Sequence, residues 1–266
     1  MKDLIPILVK ILIIVIILLV IVLLLPQIKN NNTRENFTIN QNNNLYPLQF
    51  VHIPKNAGTS IELIGKKHNI LWGFQRMEKE GLSKSSKDYF KSKLPWVDKV
   101  TGVKYEHTDV YPWHRTPDDV LDMYPKNVKL FAVVRNPYTK IVSAYKYNQG
   151  KNSNKKGLNI WVQEHLYKYK FDDNYKHYNS NHILEQNAFT HGKRKVDYIL
   201  KLENLEQDFQ NLMHNYSSNN NIFKIEKGNS SNNNVSIKDL DTTSINLIND
   251  VYYKDFKLYN YTIIKK

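Results

Sequence analysis

Cysteine is absent from all 266 residues. Zinc ribbons, thiolate-bound iron–sulfur clusters and thiol nucleophiles are excluded, and no disulfide can brace the fold. Acidic residues are in the minority: 25 Asp+Glu face 38 Lys+Arg, giving a net charge of +13. A chain this basic suits anionic partners such as nucleotides, sulfated glycans, nucleic acid or lipid headgroups, without choosing among them. No recognition motif for nucleic acid accompanies the charge, so nucleic acid is not an expected partner. A Walker A loop is missing as well. It requires a Lys directly after its last Gly, whereas Lys55 precedes Gly58. No metal-ligand cluster and no internal repeat of domain size stand out.

The one long apolar run is Leu4 to Leu25, interrupted only by Lys10. As a helix it would extend about 33 Å, matching a bilayer core of about 30 Å. The run is longer than the core of a cleaved signal peptide and ends in Leu25-Pro26-Gln27 without small residues. A short tail at 1–3, a transmembrane signal-anchor at 4–26 and a flexible Asn- and Thr-rich stem at 27–45 are therefore expected. Two sequons, at Asn31 and Asn36, would be usable if the stem is lumenal. The remainder, 46–266, is long enough for one α/β domain with its own core.

Within that domain Leu48 to Ile53 reads as a buried strand, and Thr59 to Lys67 as the opening of a helix. Val128 to Val134 is the clearest buried strand, and Pro137 opens a helix over Tyr138 to Tyr147. Val196 to Leu202 alternates as a strand before an amphipathic helix from Asn204 to His214, with Leu205, Phe209, Leu212 and Met213 on one face. Ile245, Ile248, Val251, Tyr252 and Phe256 repeat at helical spacing and belong to the core. Strands alternating with helices predict an open parallel sheet of P-loop-like type, flanked by helices and preceded by the single transmembrane helix. Asn215 to Asn234, Gly73 to Tyr105 and Gly150 to Tyr178 read as loops, the last two against an acceptor.

Two stretches carry chemistry. His52-Ile53-Pro54-Lys55-Asn56-Ala57-Gly58-Thr59-Ser60 is a strand-to-helix turn with small residues. Its backbone N–H groups, the helix dipole, the Thr59 and Ser60 hydroxyls and the Lys55 charge can cradle an oxyanion. The second stretch, Arg135-Asn136-Pro137 at a strand's C-terminal end, places a planar guanidinium where ligands bind in open α/β sheets, and Ser143 follows on the helix. A third segment, Glu106 to Arg115, offers His107 and His114 as proton acceptors. Glu62 is a lesser candidate for the same task.

Together these stretches resemble the sulfotransferase superfamily, most closely the Golgi carbohydrate sulfotransferases that include the heparan sulfate 2-O- and 6-O-enzymes. The family's His-x-Pro-Lys-Thr-Gly/Ala-Gly-Thr-Ser loop binds the 5′-phosphosulfate of PAPS (3′-phosphoadenosine 5′-phosphosulfate), and residues 52–60 match it but for Asn56. Its Arg-Asp-Pro-x-x-Arg-x-x-Ser element binds the 3′-phosphate and is matched by residues 135–143, with Asn136 for Asp and Lys140 for Arg. Glu185 to Phe189, Tyr198 to Leu205 and Val251 to Phe256 resemble later family segments. The resemblance implies sulfuryl transfer from PAPS, without a metal, to a hydroxyl of a carbohydrate or glycan acceptor. It implies cofactor contacts from Lys55, Asn56, Ala57, Gly58, Thr59, Ser60, Arg135 and Ser143, and Lys55 acting on the leaving oxygen. His114 resembles the catalytic histidine of the 2-O-enzymes, while His107-Thr108-Asp109 resembles a motif of the 6-O-enzymes. A type II layout with a lumenal domain in the Golgi or another secretory membrane follows from the same likeness. A silent glycan- or nucleotide-binding module on this fold and a nucleotide-dependent phosphotransferase remain the alternatives.

Overall fold

The structure is a computed structural model that describes residues 48–68, 70, 72, 96–97, 104–105, 114–119, 124, 127–177, 181–216, 225 and 235–265. The expected anchor at 4–26, the stem at 27–45 and His107 lie outside these residues, as do most of the loops expected at 73–105 and 215–234. Residues Ile39–Met213 and Ile222–Lys266 form one compact unit. Met1–Thr38 and His214–Asn221 form a second, of which only the end of one helix and the two residues after it are described. No helix among the described residues is long and apolar enough to cross a membrane.

In chain order the main unit contains β1 (Leu48–Val51), α1 (Gly58–Lys67), a two-stranded antiparallel ribbon of β2 (Trp96–Val97) and β3 (Lys104–Tyr105), and β4 (Lys129–Val134). Then follow α2 (Pro137–Gln149), α3 (Lys155–Phe171), α4 (Gln186–Thr190), β5 (Tyr198–Lys201), α5 (Leu205–His214), α6 (Thr242–Val251) and α7 (Tyr253–Leu258). The strands β1, β4 and β5 form a parallel sheet with β4 in the middle. Residues 130–134 of β4 are all buried, as a parallel strand covered on both faces requires.

Alternation along β4 divides the core. Phe131 faces a cluster of Phe50, Trp72 and Phe209, with Trp72 donating to the Leu48 carbonyl at 2.8 Å. Leu130, Ala132 and Val134 join the larger core with Ile141 and Ala144 of α2, Leu158 and Val162 of α3, and Ile245 and Ile248 of α6. The stretch 150–178, expected as a loop, is for the most part the 17-residue helix α3. Leu158, Trp161, Val162, His165, Leu166 and Tyr169 form its buried face. Asn154 caps this helix by accepting from the Gly157 N–H at 2.8 Å. Because the strands are parallel, the loops that follow β1 and β4 emerge at one edge of the sheet, side by side.

Candidate functional site

The loop after β1 turns sharply into α1. Lys55 and Ala57 both take left-handed conformations, at φ 68° and 62°, without being glycine. Such residues persist only where surrounding structure holds them, and they gather at functional sites. Asn56 between them is the anchor. Its side chain is buried and donates to the Val133 carbonyl at 2.8 Å and to Gln186 Oε1 at 2.7 Å. The position that departs from the family loop therefore bolts this loop to the sheet through its side-chain amide. Ala57 begins α1 with no side chain capping the helix end, so the positive end of the dipole is left to whatever binds. Thr59 is exposed and Ser60 half-buried at the same end. A Cβ on Gly58 would overlap the His52 ring, which confines this position to glycine.

Arg135 leaves the C-terminal end of β4 directly beside that loop. Its Nη1 donates to the Lys55 carbonyl at 3.0 Å and its Nε to Thr139 Oγ1 at 2.9 Å. Gln186 fixes the backbone from behind, accepting from the Arg135 N–H and donating to the Arg135 carbonyl, both at 2.8 Å. Gln186 is in turn held by the buried Asp255, which accepts from its backbone N–H at 2.8 Å. The two stretches read from the sequence thus converge, joined directly through Arg135 and Lys55 and indirectly through Asn56 and Gln186.

Along α2, Thr139, Ser143 and Tyr147 stand four residues apart and share a face with Arg135. Asn136 caps the helix by accepting from the Tyr138 N–H at 3.0 Å, so the Asn performs the cap that the family's Asp would supply. Lys140 points the other way, into the core. Thr139 and Tyr147 are marked in the sequence only by their spacing from Arg135 on one helical face.

The Lys55 ammonium rests 4.0 Å from the centre of the Tyr147 ring. Burial, and then the neighbouring Arg135, push its pKa down to about 8. Burial and Arg135 likewise depress Lys146. Lys55, Arg135 and Lys146 thus concentrate positive charge at the site, with Glu203 acting on Arg135 in the opposite sense.

Three histidines line the same region. His52, buried, brings Nδ1 to 2.7 Å from Oε1 of the buried Glu62. With Nδ1 protonated the ring donates to the carboxylate, so Glu62 is engaged with His52 and does not stand free in the crevice. His114 meets His52 edge-on at 4.8 Å and His182 at 5.3 Å, and His182 meets Tyr147 at 4.7 Å. Burial first, then Lys55, Lys140 and His52, push the His182 pKa down to about 3, so this ring is neutral across the physiological range. His182 was not singled out from the sequence; no motif surrounds it. Among the described residues no group of three or more acidic or histidine side chains is arranged to hold a metal ion.

No curated protein and no solved structure matches the chain. The sequence profile of the Sulfotransferase family does match, over residues 36–262, which takes in both converging stretches, the histidines and every strand of the sheet. Members of that family are transferases that generally draw the sulfuryl group from PAPS. On a match covering most of its length, the chain belongs to the sulfotransferase family.

Proposed function

We propose that this chain transfers the sulfuryl group of PAPS to a carbohydrate hydroxyl, with His114 as general base, on a domain carried by the anchor and stem expected at 4–45. The observation that carries this reading is the hydrogen bond from Arg135 to the Lys55 carbonyl. It brings together two cationic stretches 80 residues apart in sequence, which supports their acting on one ligand. Lys55, the N–H groups at the start of α1 and the Thr59 and Ser60 hydroxyls suit the 5′ end of a doubly anionic nucleotide. Arg135 and Ser143 suit its 3′-phosphate.

When bound, PAPS supplies an activated sulfur whose bond to the 5′-phosphate breaks as the acceptor oxygen attacks, the electrons of that bond leaving with the phosphate. His114 accepts the proton of the acceptor hydroxyl. Lys55 leaves its place over Tyr147 to neutralise charge growing on the departing oxygen. The exposed ring of Tyr147, with His182 behind it, offers a sugar an apolar face. The test is transfer of labelled sulfate from PAPS by the full-length protein to a panel of glycans. Labelling of tyrosine peptides or lipids alone would refute the carbohydrate assignment.

The depressed pKa of Lys55 gives the reading a pH signature. An anion beside the ammonium raises that pKa, so binding is strongest where Lys55 is already protonated in the free protein, below about 8. Above pH 8 each binding event must take up a proton, and affinity should fall by up to about tenfold per pH unit until the raised pKa is passed. Calorimetry of PAP (3′-phosphoadenosine 5′-phosphate) binding at pH 7 to 10, in buffers of differing ionisation enthalpy, should show this uptake. In Lys55→Ala the profile should be flat.

A further inference from the structure

Behind His114 runs a short segment, Asn181–Leu184, that belongs to neither cationic stretch. Asn181 is fully buried and left-handed at φ 66°, a conformation Asn tolerates better than most side chains. Its Nδ2 donates to the His114 carbonyl at 2.8 Å, across 67 residues of chain. The ring of the next residue, His182, lies edge-on to the His114 ring. The carbonyls that follow are each taken by a buried donor from elsewhere in the fold. Lys140 Nζ donates to both His182 O and Leu184 O at 2.9 Å, and the Tyr252 hydroxyl donates to Ile183 O at 2.6 Å.

Lys140 is the most telling member. It is 1% exposed, and burial pushes its pKa down to about 8. A buried ammonium carries a desolvation cost, which its carbonyl acceptors and the charges of Asp255 and Glu185 offset in part. What it secures is the path of one segment of backbone, the segment that grips His114.

We propose that Asn181 and Lys140 are positioning residues for the base: they fix the His114 backbone and the His182 ring against which its imidazole rests, and so set the direction in which His114 faces the acceptor hydroxyl. The inference deepens the reading of His114 as base and rests on it. Asn181 touches the His114 main chain and Lys140 acts one step further back. A loose base is costly, since a displacement of about 1 Å in a reacting group can lower the rate about 100-fold.

Two variants of the full-length protein separate positioning from folding. Asn181→Asp keeps the shape but, once ionised, has no donor for the His114 carbonyl, and Asn181→Gly keeps the left-handed backbone and removes the side chain. Should the Asp variant not fold, the Gly variant decides. The imidazole ¹H–¹⁵N resonances of His114 are read without donor or acceptor, and kcat is read with the acceptor found in the glycan panel. The frame predicts shifted or broadened His114 resonances in both variants and in Lys140→Met. In the Asn181 variants kcat should fall about 10- to 100-fold with PAP affinity held within about twofold. Unchanged His114 resonances together with unchanged kcat overturn it. If the resonances move while His114→Ala still turns over normally, the frame stands and the assignment of the base fails. If His114→Ala is inactive but the Asn181 variants match the parent in both readouts, the frame fails and the base stands.

Discussion

Arg135→Ala should erase the preference of this protein for PAP over 5′-AMP, two ligands that differ only in the 3′-phosphate. A charge-assisted hydrogen bond contributes roughly 1.5–3 kcal/mol, so the parent should favour PAP by about 10- to 150-fold. The Arg135 fork is pre-set for this task, with Nε on Thr139 and Nη1 on the Lys55 carbonyl. Without it the 3′-phosphate has mainly Ser143, and the ratio should drop to within about threefold. Lys55→Ala should behave differently, weakening both ligands by a similar factor because it serves the end they share. Calorimetry on the two variants against the two nucleotides separates these cases. An Arg135→Ala protein that loses PAP and AMP equally would move Arg135 to the 5′ end and break the assignment of the two stretches. Arg135→Lys is not expected to rescue, since a single ammonium cannot hold Thr139, the Lys55 carbonyl and a phosphate at once.

His114→Ala should have the opposite profile, with turnover lost and nucleotide binding kept. General base catalysis contributes about 10²–10⁴-fold, and kcat should fall by that order. PAP affinity should stay within about twofold, because the charges that hold the nucleotide are elsewhere. The surroundings of His114 suit a base. His52 and His182 lie against its ring, His52 is fixed by Glu62, and His182 is neutral at any pH of interest. A His114→Ala protein with unchanged kcat would transfer the role to His107.

The sheet was legible from the sequence because its cause is local. The runs Leu48–Val51 and Leu130–Val134 are apolar but for Gln49, and Leu205, Phe209, Leu212 and Met213 mark one helical face, all of them buried. The two cationic stretches were legible for a related reason, since the chemistry of each lies within nine consecutive residues. What binds them to each other was not. Asn56 reads in the sequence as an imperfect match, yet it makes contacts 77 and 130 residues away. Lys140 likewise reads as a substitution in a phosphate-binding element, but its ammonium turns inward to carbonyls more than forty residues on. Partnerships at such separations have no periodicity and no composition to announce them. The helix α3 was obscured for another reason: its sequence mixes four Lys and other polar residues with its apolar ones, so the buried stripe from Leu158 to Tyr169 is easily taken for loop.

The measurement that bears most directly on this account is a crystal structure of the protein with PAP. The account predicts one nucleotide spanning the loop after β1 and the start of α2. Its 5′-phosphate should lie within hydrogen-bonding distance of Lys55 Nζ and the N–H groups of residues 57–60, and its 3′-phosphate on the Arg135 guanidinium and Ser143 Oγ. A nucleotide seated in any other crevice, or one touching only one of the two stretches, would contradict it.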